Sequence, residues 1–136
     1  MIVIDTNVVS EMMRDRPDPD VLAWVDTAGR LYTTAITLAE VEYGIARLPD
    51  GRRKDRLSET AARAFLDFGD VILPFDARAA GQYAGIVSGR EQSGRPMTMA
   101  DAQIAAICVS REATLATRNT GDFEDTGVRV INPWGK

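Results

Sequence analysis

Short apolar runs rich in β-branched residues alternate along the chain with longer amphipathic segments. The first run, at residues 2–4, is continuously apolar, as in strands that are covered on both faces of a parallel sheet. The same signal predicts four further strands, at residues 31–36, 71–75, 114–117 and 128–131. The segments between them are too long for hairpins. The pattern therefore predicts an α/β fold with a mainly parallel five-stranded sheet flanked by helices.

Helix signals fill the intervals between these strands. Thr37 is the expected N-cap of the helix after the second strand, which places Glu40 in the first turn of that helix. Asp101 opens the helix that precedes the fourth strand. The first helix is expected to begin after a cap at Thr6 or Asn7. Five further helices are predicted, from about Asp20 to Gly29, from Thr37 to Leu48, from 52 to 68 with Gly69 as the end signal, from 77 to about 92, and from 99 to about 112.

The length and composition are those of one globular domain, which we place over residues 1–136. Hydrophobic residues make up 45% of the chain and charged residues 26%, so the whole chain is expected to fold. No apolar stretch approaches the roughly 18 residues of a membrane span, and the first residues lack a basic leader, so we expect a cytoplasmic protein. The single cysteine, Cys108, lies in an apolar run and is expected to be an inert core thiol.

The charged residues and the absence of histidine limit the kinds of catalytic and binding site that the chain can form. Histidine is absent, which excludes Ser-His-Asp triads, Cys-His dyads, histidine-based ribonuclease chemistry and zinc sites that need imidazole. A net charge of −4 disfavours a generic polyanion binder, yet fourteen of the sixteen basic residues are arginine, which suits bidentate phosphate contacts. One basic run forms either a phosphate-guiding rim or a solvated face: Arg47, Arg52, Arg53, Lys54 and Arg56.

Four acidic residues, Asp5, Glu40, Asp101 and Asp122, fall where open α/β sheets bind their ligands, beyond the carboxyl ends of the strands. Taken singly, each has a structural alternative as a helix cap, a partner of a helix dipole or a turn residue. Clustered carboxylates, however, repel one another and raise each other's pKa unless a cation neutralises them. Oxygen ligands without histidine or cysteine favour Mg²⁺ or Mn²⁺, and the chemistry that this set suits best is phosphodiester hydrolysis.

The four acids lie in motifs whose order resembles that of the PIN-domain nucleases. These motifs are IDTN at residues 4–7, LAEVEYG at 38–44, MADAQIA at 99–105 and ATRNTGDF at 116–123. The sequence is most similar to the VapC/FitB-type toxins of bacterial toxin–antitoxin systems, and the likeness extends to VINPW at 130–134. The resemblance implies a PIN-like domain and a metal-dependent endoribonuclease toxin. Such a toxin hydrolyses RNA with metal-activated water, leaving a 5′-phosphate and a 3′-hydroxyl, and is inhibited by a cognate antitoxin.

The same resemblance assigns roles to the site residues. Asp5, Glu40, Asp101 and Asp122 match the acidic quartet that holds Mg²⁺ or Mn²⁺ and carries catalysis. Asp5 and Asp101 are expected to be direct ligands. Glu40 is expected to be a ligand or a water-orienting base, and Asp122 a ligand that binds directly or through water. Neighbouring polar residues are expected to orient these ligands by hydrogen bonds, with capping as the alternative for the two asparagines: Thr6, Asn7, Thr117 and Asn119.

The implied partners are an RNA substrate and a VapB/FitA-type antitoxin that lays an apolar segment into a groove and occludes the metal site. The family likeness also implies a homodimer, a higher hetero-oligomer with the antitoxin on DNA, and no membrane. The helix that carries Val21, Leu22, Trp24 and Val25 is a candidate docking face. Which RNA is cut, and whether one or two metal ions act, depends on features that a single sequence does not reveal.

Other function classes fit the sequence less well. A receiver domain needs a lysine near the end of a late strand, and the two lysines, Lys54 and Lys136, lie elsewhere. A haloacid-dehalogenase-like phosphatase needs a second aspartate two residues after the first, where this chain has Asn7. A P-loop enzyme would need a Gly-rich GxxxxGKS/T motif, which the chain lacks. The alternatives that stay open are a catalytically inert PIN-fold binding module and another Mg-dependent phosphohydrolase.

Overall fold

The computed structural model of the protein describes residues 1–68 and 71–135. Five strands and six α-helices alternate along these residues, and a 3₁₀ helix (Thr120–Phe123) precedes the last strand. The strands are β1 (Ile2–Ile4), β2 (Leu31–Thr34), β3 (Ile72–Leu73), β4 (Thr114–Ala116) and β5 (Arg129–Ile131). The helices are α1 (Thr6–Met12), α2 (Pro19–Thr27), α3 (Ala35–Ala46), α4 (Arg52–Phe68), α5 (Ala77–Gln92) and α6 (Met99–Ser110).

The strands form one sheet in the order β3-β2-β1-β4-β5, and every neighbouring pair is parallel. This confirms the predicted α/β class and the parallel sheet. Ile2 of the central strand is in register with Leu31 of β2 on one side and with Thr114 of β4 on the other. Because all five strands run in the same direction, their carboxyl ends meet at one edge, where the segments after β1, β2 and β4 lie side by side.

Helices cover both faces of the sheet, so neighbouring strand residues enter different apolar clusters. Val3 and Leu115 pack with the buried sides of α5 and α6. Ile4 and Ala116 face the opposite way and pack with α1 to α4. Burial, assisted by the charge of Asp5, raises the pKa of the Cys108 thiol within α6 to about 12, which confirms the predicted core thiol. In the described part of the chain, no helix is long and apolar enough to span a bilayer.

Helices α1 and α2 begin earlier than predicted. The expected cap of α1 at Thr6 or Asn7 is wrong, because the Asp5 carboxylate accepts a hydrogen bond from the Thr6 backbone N–H and takes the N-cap position. Similarly, α2 does not begin after Asp20. Asp18 accepts a hydrogen bond from the Asp20 N–H, and the proline after Asp18 suits the first helical position.

Helix α3 also begins earlier, and this changes the position of a predicted site residue. Thr34, and not Thr37, is the N-cap, because its Oγ1 accepts a hydrogen bond from the Thr37 N–H at 3.0 Å. The strand before it therefore ends at Thr34 instead of residue 36. Glu40 consequently lies in the second turn of α3, and the prediction that it lies in the first turn is wrong.

Most element ends lie within two residues of the predicted ones. Gly29 follows α2 with φ of +80°, a left-handed conformation typical of the position after a helix. Strand β3 is confined to two residues because Pro74 cannot donate a backbone hydrogen bond to the sheet. Helix α6 ends at Ser110, before the predicted residue 112, whereas α4 and α5 keep their predicted bounds. Gly69, the predicted end signal of α4, lies outside the described residues.

Replacing Leu115 with alanine tests the packing of the sheet. Leu115 is fully buried in the α5–α6 cluster, so Leu115→Ala should lower the free energy of unfolding by about 2–5 kcal/mol. The matched control is Leu66→Ala, because Leu66 is 77% exposed on α4 and its loss should cost less than about 0.5 kcal/mol. Urea unfolding followed by circular dichroism measures both values, and equal losses would contradict the described core.

Candidate active site

Asp5 is a buried carboxylate at the end of the central strand, and its side chain is only 4% exposed. Its Oδ1 accepts a hydrogen bond from the Thr6 backbone N–H at 2.8 Å. Its Oδ2 accepts one from the Thr117 hydroxyl at 2.9 Å and a longer one from the Asn7 amide at 3.5 Å. Thr117 directly follows β4, so parallel pairing of β1 and β4 brings together residues 112 positions apart.

A chain of threonine hydroxyls holds Glu40. Thr6 Oγ1 donates to Glu40 Oε1 at 2.6 Å, since a carboxylate can only accept. Because the single hydroxyl proton of Thr6 is engaged in the bond to Glu40, Thr6 accepts a hydrogen bond from Thr37 Oγ1 at 3.1 Å, and Thr37 accepts one in turn from Thr34 Oγ1 at 3.3 Å. All three hydroxyl protons therefore point towards the carboxylate. Thr37 was predicted only as a cap, and its part in orienting Glu40 has no signal in the sequence.

The Asn7 side chain joins α1 to the loop that follows β4. Its Nδ2 donates to Thr117 Oγ1 at 3.1 Å, and its Oδ1 accepts from the Arg118 N–H at 3.2 Å. The same Thr117 hydroxyl also accepts from the Asn119 N–H at 3.1 Å. Asn119 thus holds this network through its backbone, while its side chain remains exposed. The structure brings the predicted polar residues together around Asp5.

Asp101 lies in the first turn of α6, where Thr98 is the N-cap and its Oγ1 accepts from the Asp101 N–H at 3.1 Å. The pKa of Asp101 is raised from 3.8 to about 6, and partial burial is the largest cause. The negative charges of Asp5, Asp122 and Glu40 contribute to the same rise, and the hydrogen bond with Thr98 acts against it. The three other predicted acids therefore all act on Asp101 through space.

Electrostatic coupling also reaches the buried Asp5. Burial is the largest cause that raises the pKa of this carboxyl, and the charges of Glu40 and Asp122 raise it as well. The hydrogen bonds from Thr6 and Thr117 act in the opposite direction, because they stabilise the ionised form. The four acids predicted from the sequence thus form one electrostatic group at the carboxyl edge of the sheet.

Three of these acids, Asp5, Glu40 and Asp101, line one open cavity of about 500 Å³. Asp122 acts on the group through its charge but does not line this cavity. Two arginines that were not predicted as site residues stand at its walls, Arg14 and Arg118. The Arg118 guanidinium lies 5.2 Å from the ring centre of Trp134, which also lines the cavity and is largely buried.

A buried arginine on α5 positions the segment that carries Asp122. Arg90 is 5% exposed and donates from Nη1 to the backbone carbonyls of Asp122 and Glu124, both at 2.8 Å. Its Nε donates to the Arg95 carbonyl at 2.6 Å. These three contacts bind the 3₁₀ helix and the turn before α6 to α5. The sequence gives no signal for this role, because Arg90 lies in an ordinary helical segment far from any acidic motif.

The oxygen atoms of the four acidic side chains are of the chemical type that binds a hard divalent cation. They are carboxylate oxygens, the ligands that Mg²⁺ and Mn²⁺ prefer. The carboxylates raise each other's pKa, and a cation between them would relieve this repulsion. The carboxylates are not arranged as a preformed metal site, because within residues 1–68 and 71–135 no cluster of three or more acidic or cysteine side chains has metal-binding geometry.

Comparison with known proteins points to one family. The model of the PIN domain family matches residues 2–128. The Neisseria gonorrhoeae protein named Toxin FitB is 42% identical over 137 residues, covering 98% of this chain and 99% of its own. The Sinorhizobium fredii protein named VapC ribonuclease Y4jK is 40% identical, with 98% of each chain covered. A solved structure of FitAB bound to the IR36 DNA fragment matches with a TM-score of 0.90 at 41% identity, covering 100% of this chain and 97% of the other.

The raised pKa of Asp101, caused first by burial and then by the neighbouring negative charges, predicts a pH-dependent gain in stability for Asp101→Asn in EDTA. Because the pKa in the folded state, about 6, exceeds the ordinary 3.8, folding favours the protonated form. This contribution is complete below pH 3.8 and is lost as the pH rises through 6. The difference in Tm between Asp101→Asn and the wild type should therefore grow over this pH interval and then level off.

The control is Asp26→Asn, which removes a charge from an exposed position on α2. A difference that does not vary with pH would contradict the raised pKa of Asp101.

Replacing Arg90 tests the anchoring of the Asp122 segment. Arg90→Met keeps most of the side-chain volume but leaves three backbone carbonyls without their charged donor, so the loss of stability should be about 2–4 kcal/mol. Hydrogen exchange should rise most in residues 120–126. Arg78→Met is the control, because Arg78 donates to the Ser110 carbonyl at an exposed position. Similar effects of both substitutions on stability and exchange would contradict the anchoring role.

Proposed function

Since this chain belongs to the PIN-domain family, we propose that it is a metal-dependent endoribonuclease and the toxin of a toxin–antitoxin pair. The observation that carries the proposal is the meeting of Asp5, Glu40 and Asp101 in one cavity within the field of Asp122. The relatives named Toxin FitB and VapC ribonuclease support the toxin and ribonuclease assignments.

In this proposal Asp5 and Asp101 bind Mg²⁺ or Mn²⁺ directly, Glu40 binds the ion or orients the attacking water, and Asp122 binds directly or through water. When bound, the ion supplies a Lewis acid that lowers the pKa of a water ligand and stabilises the leaving oxygen of the phosphodiester. A product with a 5′-phosphate and a 3′-hydroxyl is the outcome that the family likeness implies.

The other polar residues keep the carboxylates in place. Thr117 and Asn7 hold one oxygen of Asp5, and the Thr6 N–H holds the other, so this carboxylate has a single orientation. Thr6 also donates to Glu40 and thereby couples the orientations of the two acids. Fixed ligands reduce the reorganisation needed when the substrate binds. We assign Asn119 a supporting role, because it contacts Thr117 through its backbone.

The proposed partners follow from the same cavity and from the relatives. Its acidic lining suits a basic side chain of a VapB/FitA-type antitoxin, which would block the carboxylates from RNA. The similar structure of FitAB on a DNA fragment supports a hetero-oligomer of toxin and antitoxin on DNA. We further propose a homodimer as the working unit and the cytoplasm, where cellular RNA is available, as the place of action.

Cleavage of total cellular RNA by purified, antitoxin-free protein tests the proposal. We expect discrete cuts with Mg²⁺ or Mn²⁺, none in EDTA, and 5′-phosphate and 3′-hydroxyl ends when the products are mapped. Asp5→Asn should lower the rate by roughly 100-fold or more, because it removes a charged ligand while keeping the side-chain shape. Asp26→Asn on α2 is the matched control and should cleave like the wild type.

Each part of the proposal has its own contrary result. Absence of cleavage by the metal-loaded wild type would favour an inert binding module. Cleavage that persists in EDTA would exclude the metal-dependent mechanism. Full activity of Asp5→Asn would show that Asp5 has been given the wrong role, while equal losses in Asp5→Asn and Asp26→Asn would indicate a general effect of charge.

A further inference from the structure

Beside the acidic cavity lies a second cavity, of about 460 Å³, whose charged lining has the opposite sign. It is formed by the segment after α1 and the N-terminal half of α4. Four arginines and a single aspartate provide its charged groups: Arg14, Arg16, Arg53, Arg56 and Asp15. We call this the arginine cavity. Guanidinium groups in this number, set around a concave surface, suit a ligand with several phosphate oxygens.

Arg14 lies on the boundary, because it lines both the acidic cavity and the arginine cavity. Its guanidinium is held by Glu11, with Nη1 at 3.2 and 3.4 Å from the two carboxylate oxygens. Glu11 is only 6% exposed and also accepts from the Asp18 N–H at 2.8 Å, so it is fixed on both sides. A buried acid thus orients an exposed arginine at the point where the two cavities meet.

A third, smaller cavity connects the two. It has a volume of about 300 Å³ and is lined by Glu40 of the acidic group, by Arg53 of the arginine cavity and by Arg14, which lines all three cavities. The remainder of its wall is mostly apolar. Shared lining residues therefore link the proposed metal ligands to the arginines.

The other basic residues in the run at 47–56 do not line the arginine cavity. Lys54 donates from Nζ to the Ala46 carbonyl and to Asp50. The Arg47 guanidinium lies 5.5 Å from the ring centre of Tyr43. Arg52 is exposed and does not line the arginine cavity. Of the basic run predicted from the sequence, only Arg53 and Arg56 therefore line the arginine cavity.

We propose that the arginine cavity binds the backbone phosphates next to the scissile phosphate of a single RNA strand. This inference rests on the proposed nuclease function and adds a substrate-positioning site to it. A nucleic-acid strand carries one charge per nucleotide, so a strand whose scissile phosphate lies at the carboxylates brings further phosphates to the boundary at Arg14. Contacts to phosphate fix the register of the strand and carry no base information. The cavity therefore strengthens binding of RNA of any sequence.

The double variant Arg53→Gln/Arg56→Gln tests this proposal against a matched control, Arg52→Gln/Arg63→Gln. Both remove two exposed positive charges from α4, but only the first pair lines the arginine cavity. For cleavage of cellular RNA we expect the first variant to raise KM by roughly fivefold to tenfold with kcat retained. The control should stay within about twofold of the wild type, and thermal melting should give the same Tm for all three proteins.

Binding is measured separately on Asp101→Asn protein, with a fluorescein-labelled, mixed-sequence, single-stranded RNA as the probe. In this background Arg53→Gln/Arg56→Gln should weaken binding, and the slope of log K against log salt should become shallower by about 0.7 for each phosphate that the variant no longer neutralises. The control pair should keep the slope of the parent protein.

The two arms separate the possible failures. If the wild type cleaves RNA and both double variants share the same KM and salt slope, the arginine cavity is not a phosphate site, although the proposed function stands. If the wild type cleaves no RNA, the proposed function fails, and only the binding experiment tests the arginine cavity as a phosphate site. Weaker RNA binding confined to Arg53→Gln/Arg56→Gln then supports the phosphate site. Equal RNA binding by the two double variants overturns it. Weaker binding with an unchanged salt slope also overturns it, because the loss is then structural and not ionic.

Discussion

Repulsion between carboxylates at one edge of the sheet is the constraint around which the rest of the structure is arranged. Burial and neighbouring charge both disfavour the ionised form of Asp5, and only the hydrogen bonds of Thr6 and Thr117 act against them. The Thr6 bond is the local cap of α1, whereas the Thr117 bond exists because β1 pairs in parallel with β4, which places the end of β1 beside the residue after β4. The sheet therefore imposes an electrostatic cost that its own register partly offsets. A divalent cation would remove the remainder.

The site is held from both layers of helices. On one side, α1 and α3 supply the hydroxyl chain from Thr34 to Glu40, and the pockets beside them carry the arginines. On the other side, α6 supplies Asp101, while Arg90 of α5 fixes the backbone of the Asp122 segment through its carbonyls. Each acid is thus attached to a different element, so their relative positions depend on packing across the whole sheet. This explains why a network with so few direct contacts between acids can still have a defined geometry.

Sequence patterns were sufficient for the order of the elements, the parallel sheet and the four acidic motifs, because apolar runs and strand-end positions are local signals. They failed where two local signals competed. Thr34 and Thr37 are both suitable caps, and only the hydrogen bond between them shows which one begins α3 and therefore where Glu40 lies. Contacts over long separations leave no local signal, so the role of Arg90 was not visible. For the same reason, the sequence did not show that Arg53 lines a cavity and Arg52 does not.

The central position of β1 has a consequence for synthesis on the ribosome. The first strand to be translated is paired on one side with β4, whose residues follow more than a hundred positions later. At about 5–20 residues per second, roughly 6 to 20 seconds separate translation of Asp5 from that of the threonine that fixes it. Throughout that time the nascent chain lacks an assembled site. The proposed nuclease activity would therefore be absent from the nascent chain until nearly all of its sequence has been translated.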